Sequence, residues 1–255
     1  MFKYLRIAVL LTILLIVAGD KWLTGSRLSS WEKPLWVTIY PVLAEPSRAV
    51  NAYVNGLTVA DFDEIDRFIK HQAAYHGRTI DSPLVIQVAR PMTATPPAIP
   101  LKSNGLGVAW WSLKMRWWLF RHSGQDGLAR DDVRMFVLYQ DAPPGRQLIE
   151  RSVAIKNGGY GIVNAVASRQ KAAHNRIVIA HELMHVLGAS DKYDIGSGQP
   201  IVPEGLGDPG RSPLYPQKRA EIMAGRIAVS DSRWRMAPGL RDCVVGDVTA
   251  AEIGW

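Results

Sequence analysis

Residues 172–191 constrain this chain more tightly than any other stretch. Ala172-Ala173 and Arg176-Ile177-Val178-Ile179-Ala180 lead into His181-Glu182-Leu183-Met184-His185. Ile177, Ala180, Met184 and Leu187 recur at helical spacing, so the segment reads as a helix with one buried face. On such a helix His181 and His185, four residues apart, project from one side one turn apart. Two imidazoles so placed can grip one zinc ion, while Glu182 is rotated towards a bound water whose proton it can take. Gly188 follows three residues after His185, where a helix can end and the chain turn back. Asp191 comes three residues later, where a returning chain meets a metal held by the histidines.

The bare five-residue pattern arises by chance in roughly one chain in thirty of this length, and the added Gly188 and Asp191 lower that by about two orders of magnitude. His181, His185 and Asp191 are therefore the candidate zinc ligands, and Glu182 the candidate catalytic base. Asp194, in Asp191-Lys-Tyr-Asp194, is the alternate carboxylate, and Tyr193 can lend a hydroxyl to an oxyanion or simply pack.

His181-Glu-Leu-Met-His185-Val-Leu-Gly188-Ala-Ser-Asp191 resembles the extended zinc motif of the metzincin metallopeptidases. Most metzincins have a third histidine at the last position; aspartate there is similar to the snapalysin-like branch, and carboxylate is an acceptable zinc ligand. Ile222-Met223-Ala224-Gly225-Arg226 looks like the family's Met-turn, with Met223 as the apolar floor beneath the metal. The bland reading is a core methionine ahead of a glycine turn. The resemblance covers about 160–255, a part that also looks like a group of bacterial membrane-anchored or exported proteins. It implies an α+β metzincin-like domain: a mixed sheet, an active-site helix ending at Gly188, and a C-terminal subdomain holding Met223. It implies zinc-dependent hydrolysis of peptide bonds in a peptide or protein substrate. A gluzincin arrangement would instead take Glu221 as a ligand and leave Gly188 and Asp191 unexplained.

The N-terminus bears on where such chemistry would occur. Lys3 and Arg6 precede an apolar run from Ile7 to Gly19, a positive start of the kind that directs export. The run is short for a spanning helix, which needs about 20 residues, and Val17-Ala18-Gly19 offers a signal-peptidase site. Phe2, Tyr4, Leu5 and Trp22 extend the apolar character and favour an uncleaved anchor. The expectation is a membrane-anchored protein with a periplasmic or cell-surface domain, the alternative being secretion after signal cleavage. Residues 1–30 would be the anchor or signal and 31–255 one metalloprotease-like domain, with its catalytic core at about 131–255.

The formal net charge is +7, but Lys and Arg are scattered without a dense basic run or a nucleic-acid motif, so no nucleic-acid partner is expected. The one cysteine, Cys243, precludes an intramolecular disulfide. Along the chain, 35–40 reads as a strand stopped by Pro41, 58–75 as a helix, and 84–89 as a second strand parallel to the first. Residues 91–100 carry four prolines and read as extended loop. Residues 108–120 hold four tryptophans and read as a helix, either buried or interfacial, since Trp with Lys114, Arg116 and Arg121 suits a lipid headgroup layer. Further strands are expected at 134–140 and 160–167, the latter as the edge strand that binds extended substrate. Residues 216–223 read as a short helix, and Thr249 to Glu252 as a capping box opening a terminal helix. The rival from another class is a non-catalytic, zinc-stabilised, membrane-tethered envelope protein. An intact Glu182 argues for the enzyme.

Overall fold

The computed structural model describes Tyr4, Gly19 and residues 25–45, 47–98, 100, 105–122, 128, 131–141, 152–154 and 158–255. Apart from Gly19, the apolar run lies outside them. Among the described residues no helix is long and apolar enough to cross a membrane.

The first strand, β1 (Leu35–Leu43), leads through helices α1 (Arg48–Asn55) and α2 (Asp63–Tyr75) to β2 (Leu84–Val88). Helix α3 (Gly105–His122) connects to β3 (Val133–Gln140), and β4 (Val153–Ala154) and β5 (Tyr160–Val166) precede helix α4 (Ala172–Leu187). Among the described residues these strands form a five-stranded sheet in the order β2-β1-β3-β5-β4. The β2-β1, β1-β3 and β3-β5 pairings are parallel and the β4-β5 pairing is antiparallel. Parallel neighbours need crossover connections; helices α1 and α2 lie between β1 and β2, and α3 lies between β2 and β3. The expected mixed sheet is present, but helices and strands alternate through this part, so its character is α/β rather than segregated α+β.

Side-chain alternation along the strands divides the core in two. Leu35, Val37 and Ile39 of β1, with Val133, Met135 and Val137 of β3, pack against Val50, Ile65, Ile69, Leu183 and Met184 of α1, α2 and α4. Tyr40 and Val42 of β1, Phe136 of β3 and Ile162 of β5 face the other way and meet Trp111, Met115 and Trp118 of α3. A sheet covered on both faces explains why its strands read as nearly continuous apolar runs.

Several boundaries differ from the sequence reading, each for a local reason. β1 passes through Pro41 because the ladder to β2 has already ended at Ile39 and Val88. Beyond that point the Pro41 carbonyl still accepts from the Met92 amide, so a missing N–H on this side breaks no ladder bond. Residues 59–62 form a 3-10 turn, with Thr58 and Asp61 as a capping box, before α2 begins. Strand β5 is not at the edge, because β4 covers Gly161 and Ile162.

The C-terminal part holds short strands β6 (Ala220–Glu221), β7 (Arg226–Ala228), β8 (Trp234–Met236) and β9 (Cys243–Val244), then helix α5 (Asp247–Glu252). The helix expected at 216–223 is replaced by β6, paired with β9, and a turn at 221–225. The capping box expected at Thr249 is not formed: Gly246 caps α5, and Thr249 Oγ1 donates to Glu221 instead. Residues 25–30 are helical, Leu28 lies in the main core, and Arg27 pairs with Asp132 at 2.8 and 3.0 Å. The Trp31 indole N–H donates to the Ile253 carbonyl at 2.7 Å, joining the two ends of the fold.

Candidate metal centre

Helix α4 is docked at its start by the buried Asn175 side chain, which donates to the Val166 carbonyl at 2.8 Å and accepts from the Val166 amide. It stops at Gly188, whose φ of 121° lies where side-chain-bearing residues are strained. The Gly188 amide bonds the His185 carbonyl and the Ala189 amide bonds the Met184 carbonyl, a Schellman ending that reverses the chain over the last turn. That reversal returns Asp191 to the histidine face.

His181, His185 and Asp191 come together as a group that can hold a metal ion, their ligand atoms all within 4.8 Å of one another. Asp191 Oδ1 lies 3.2 Å from His181 Nε2 and 3.1 Å from His185 Nε2. The other ring nitrogen of each histidine is committed to backbone. His181 Nδ1 lies 3.0 Å from the Ile222 carbonyl and His185 Nδ1 2.9 Å from the Ala189 carbonyl. A carbonyl only accepts, so Nδ1 carries the proton in both rings, and a neutral imidazole then turns its Nε2 lone pair inward. Two lone pairs and a carboxylate oxygen at these distances repel unless positive charge lies among them. The donor set therefore fits a cation that takes two imidazoles and a carboxylate, as zinc does.

Where no cation sits among them, a proton on Nε2 supplies the same positive charge. Burial works to lower the His181 pKa, but its bond to Asp191 and the nearby charge of Glu182 outweigh it and hold the ring above its ordinary value. Burial works to raise Asp191, and bonds from both histidines overcome that and hold its carboxyl well below the usual range. Glu182 itself is only 5% exposed.

Asp191 is bracketed by its neighbours. The Ser190 amide and hydroxyl donate to the Glu252 carboxylate at 2.9 and 2.5 Å. The buried Lys192 ammonium donates to both Glu252 oxygens at 3.0 Å. Beneath the histidines, Glu221 to Gly225 form a tight turn in which the Ala224 and Gly225 amides donate to the Glu221 carbonyl. Met223 in this turn is fully buried, and its carbonyl accepts from the Lys192 amide. The Ile222 carbonyl of the same turn is the one that holds His181.

The alternates separate cleanly. Asp194 is not in the cluster; its Oδ1 caps its own turn, accepting from the Ser197 amide and hydroxyl at 2.7 Å. Glu221 is not a ligand either. Its buried carboxylate accepts from the amides of Met223, Ala224 and Gly246 and from the Thr249 hydroxyl. The Tyr193 ring lies 6.4 Å from the His181 ring and carries the Arg226 guanidinium 4.5 Å above its face. The roles of Glu252, of Glu221 within the turn and of the Ile222 carbonyl had no sequence signal, because each is remote in the chain from the histidine loop it supports.

No family model and no curated protein matches this chain. Among solved structures, one described as a chaperone–substrate complex aligns with 87% of this chain at 13% identity and a TM-score of 0.42, and this chain spans 33% of that one.

Proposed function

We propose that this chain is a zinc-dependent endopeptidase of metzincin type, with His181, His185 and Asp191 holding the metal. The observation that carries the reading is the three-atom donor set whose two imidazoles are oriented by backbone carbonyls, with Glu182 buried beside it. Structural zinc sites close with four protein ligands, whereas catalytic sites keep three; among the described residues this cluster has three. Zinc in such a site supplies Lewis acidity that brings the pKa of a water molecule towards neutrality. Glu182 accepts the proton of the attacking water and passes it to the departing amine as the peptide C–N bond breaks. We assign Tyr193 to the developing oxyanion and Met223 to the apolar floor of the site. A drop of about 10²-fold in kcat/KM for Tyr193→Phe is the mark of that oxyanion role, and an unchanged value excludes it. The apolar run from Ile7 to Gly19 behind Lys3 and Arg6 supports a reaction outside the cytoplasm.

The test is the metal content of the purified full chain together with peptide-library cleavage by wild type and Glu182→Gln. Stoichiometric zinc in both proteins is expected, with cleavage in the variant reduced by about 10²-fold or more. Absence of zinc overturns the reading. Zinc in both with no hydrolysis by wild type transfers the site to the non-catalytic, membrane-tethered alternative.

A further inference from the structure

Helix α3 is two-faced in a way that its sequence conceals. Trp111, Met115, Trp118 and Leu119 are buried against the sheet. On the opposite side Trp110, Leu113, Trp117 and Phe120 are 61, 49, 64 and 87% exposed. Steps of three, four and three residues keep these four side chains on one line. At 1.5 Å per residue the line runs about 15 Å along the helix. Single exposed apolar residues are ordinary, but an aligned set of large ones marks a surface that something covers.

The charges on the same line indicate what covers it. Lys114 and Arg121 are also exposed, each one turn after a tryptophan. Their cationic groups lie 5.5 Å from the Trp110 ring and 6.0 Å from the Trp117 ring. No acidic residue occurs between 105 and 122. An apolar groove on a protein would have to bury these cations, whereas a bilayer interface accepts both. Indole rings settle at headgroup depth, and long basic side chains reach lipid phosphates from the same position. The same chain carries a second membrane-seeking stretch in its sequence, the Ile7 to Gly19 run behind Lys3 and Arg6.

We propose that the exposed face of α3 docks on an anionic bilayer surface, with Trp110, Leu113, Trp117 and Phe120 entering the interface and Lys114 and Arg121 on lipid phosphates. This face holds the domain against the membrane whether or not the metal centre hydrolyses peptides.

The test uses the full chain with single probes, Leu113→Cys and Phe120→Cys on the stripe and Ser232→Cys on an exposed turn elsewhere, each carrying a polarity-sensitive fluorophore. Cys243 stays unlabelled because it is buried, with its thiol pushed up to about 12 by that burial and the nearby charge of Asp242. With phosphatidylcholine–phosphatidylglycerol vesicles, emission from 113 and 120 shifts to the blue and resists aqueous iodide, while 232 stays open. The Lys114→Gln/Arg121→Gln protein loses about fivefold in protection per charge on anionic vesicles and nothing on pure phosphatidylcholine. The proposal is overturned if 113 and 120 remain quenchable while the chain floats with the vesicles. It is equally overturned if they are protected before lipid is added, by a second copy where protection rises with concentration or by the chain's own N-terminal residues where it does not.

Discussion

His181 and His185 each give one ring nitrogen to a backbone carbonyl and turn the other towards Asp191. At this scale reach decides which carboxylate joins the histidines. Asp191 faces both Nε2 atoms, whereas Asp194 is held by Ser197. Asp191→Asn should therefore weaken zinc binding by more than the 10–100-fold typical of losing a supporting residue, with Asp194→Asn close to wild type in a competition titration against a chelator. Equal losses in both variants would show that the loop rearranges around the metal. Glu252 offers a pH test. Burial works to raise its pKa, but bonds from Ser190 and Lys192 outweigh it and hold the group below its ordinary 4.5. A depressed carboxyl contributes stability that is fully present above the unfolded value and is lost as pH falls through the folded one. Glu252→Gln should lower Tm at neutral pH, and the gap from wild type should close as acid takes the pH below about 4.5. A gap that does not change with pH would mean that charge at Glu252 is irrelevant.

At the scale of elements, the helix α4 and the turn at 221–225 form one unit, because the Ile222 carbonyl holds His181 and the Met223 carbonyl holds Lys192. Glu221 is the centre of that turn. Replacing it with alanine removes the acceptor of the Met223 and Gly246 amides and the Thr249 hydroxyl, and since each buried unsatisfied group costs about 1–3 kcal/mol, Glu221→Ala should lose at least about 3 kcal/mol in urea unfolding. A loss under about 1 kcal/mol would show that the turn holds without its carboxylate. The helix α4 was legible in the sequence because its histidines, its apolar spacing and Gly188 are all local signals. The turn was legible only as Met223 beside Gly225; what Glu221 does there depends on Gly246 and Thr249, which no spacing rule connects to it. The exchange of a short helix for β6 has the same origin, since each of its residues pairs with one 23 residues further along the chain in β9.

At the scale of the molecule, the sheet carries the His181–His185–Asp191 group on one side and the α3 stripe on the other. The helix α4 packs with the first cluster of buried residues and α3 with the second. The ends of the described domain close on each other through Trp31, which bonds Ile253 and lies tilted against Trp255 with ring centroids 5.3 Å apart. Truncating a buried tryptophan costs about 3–5 kcal/mol, so Trp31→Ala should fall in that range by chemical denaturation. A cost below about 1 kcal/mol would place residues 25–34 outside the cooperative unit. What this sequence determined by itself was the chemistry available at 181–191 and the run of elements, because ligand type, helical period and glycine reversal are encoded within a turn or two of chain. Only the tertiary structure decided which carboxylate joins the histidines, which side of the tryptophan-rich helix is left bare, and that Glu252 and Glu221 brace the site. Those outcomes depend on which remote groups the packing brings within hydrogen-bonding distance, and side-chain contacts between distant parts of the chain leave no periodic trace in it.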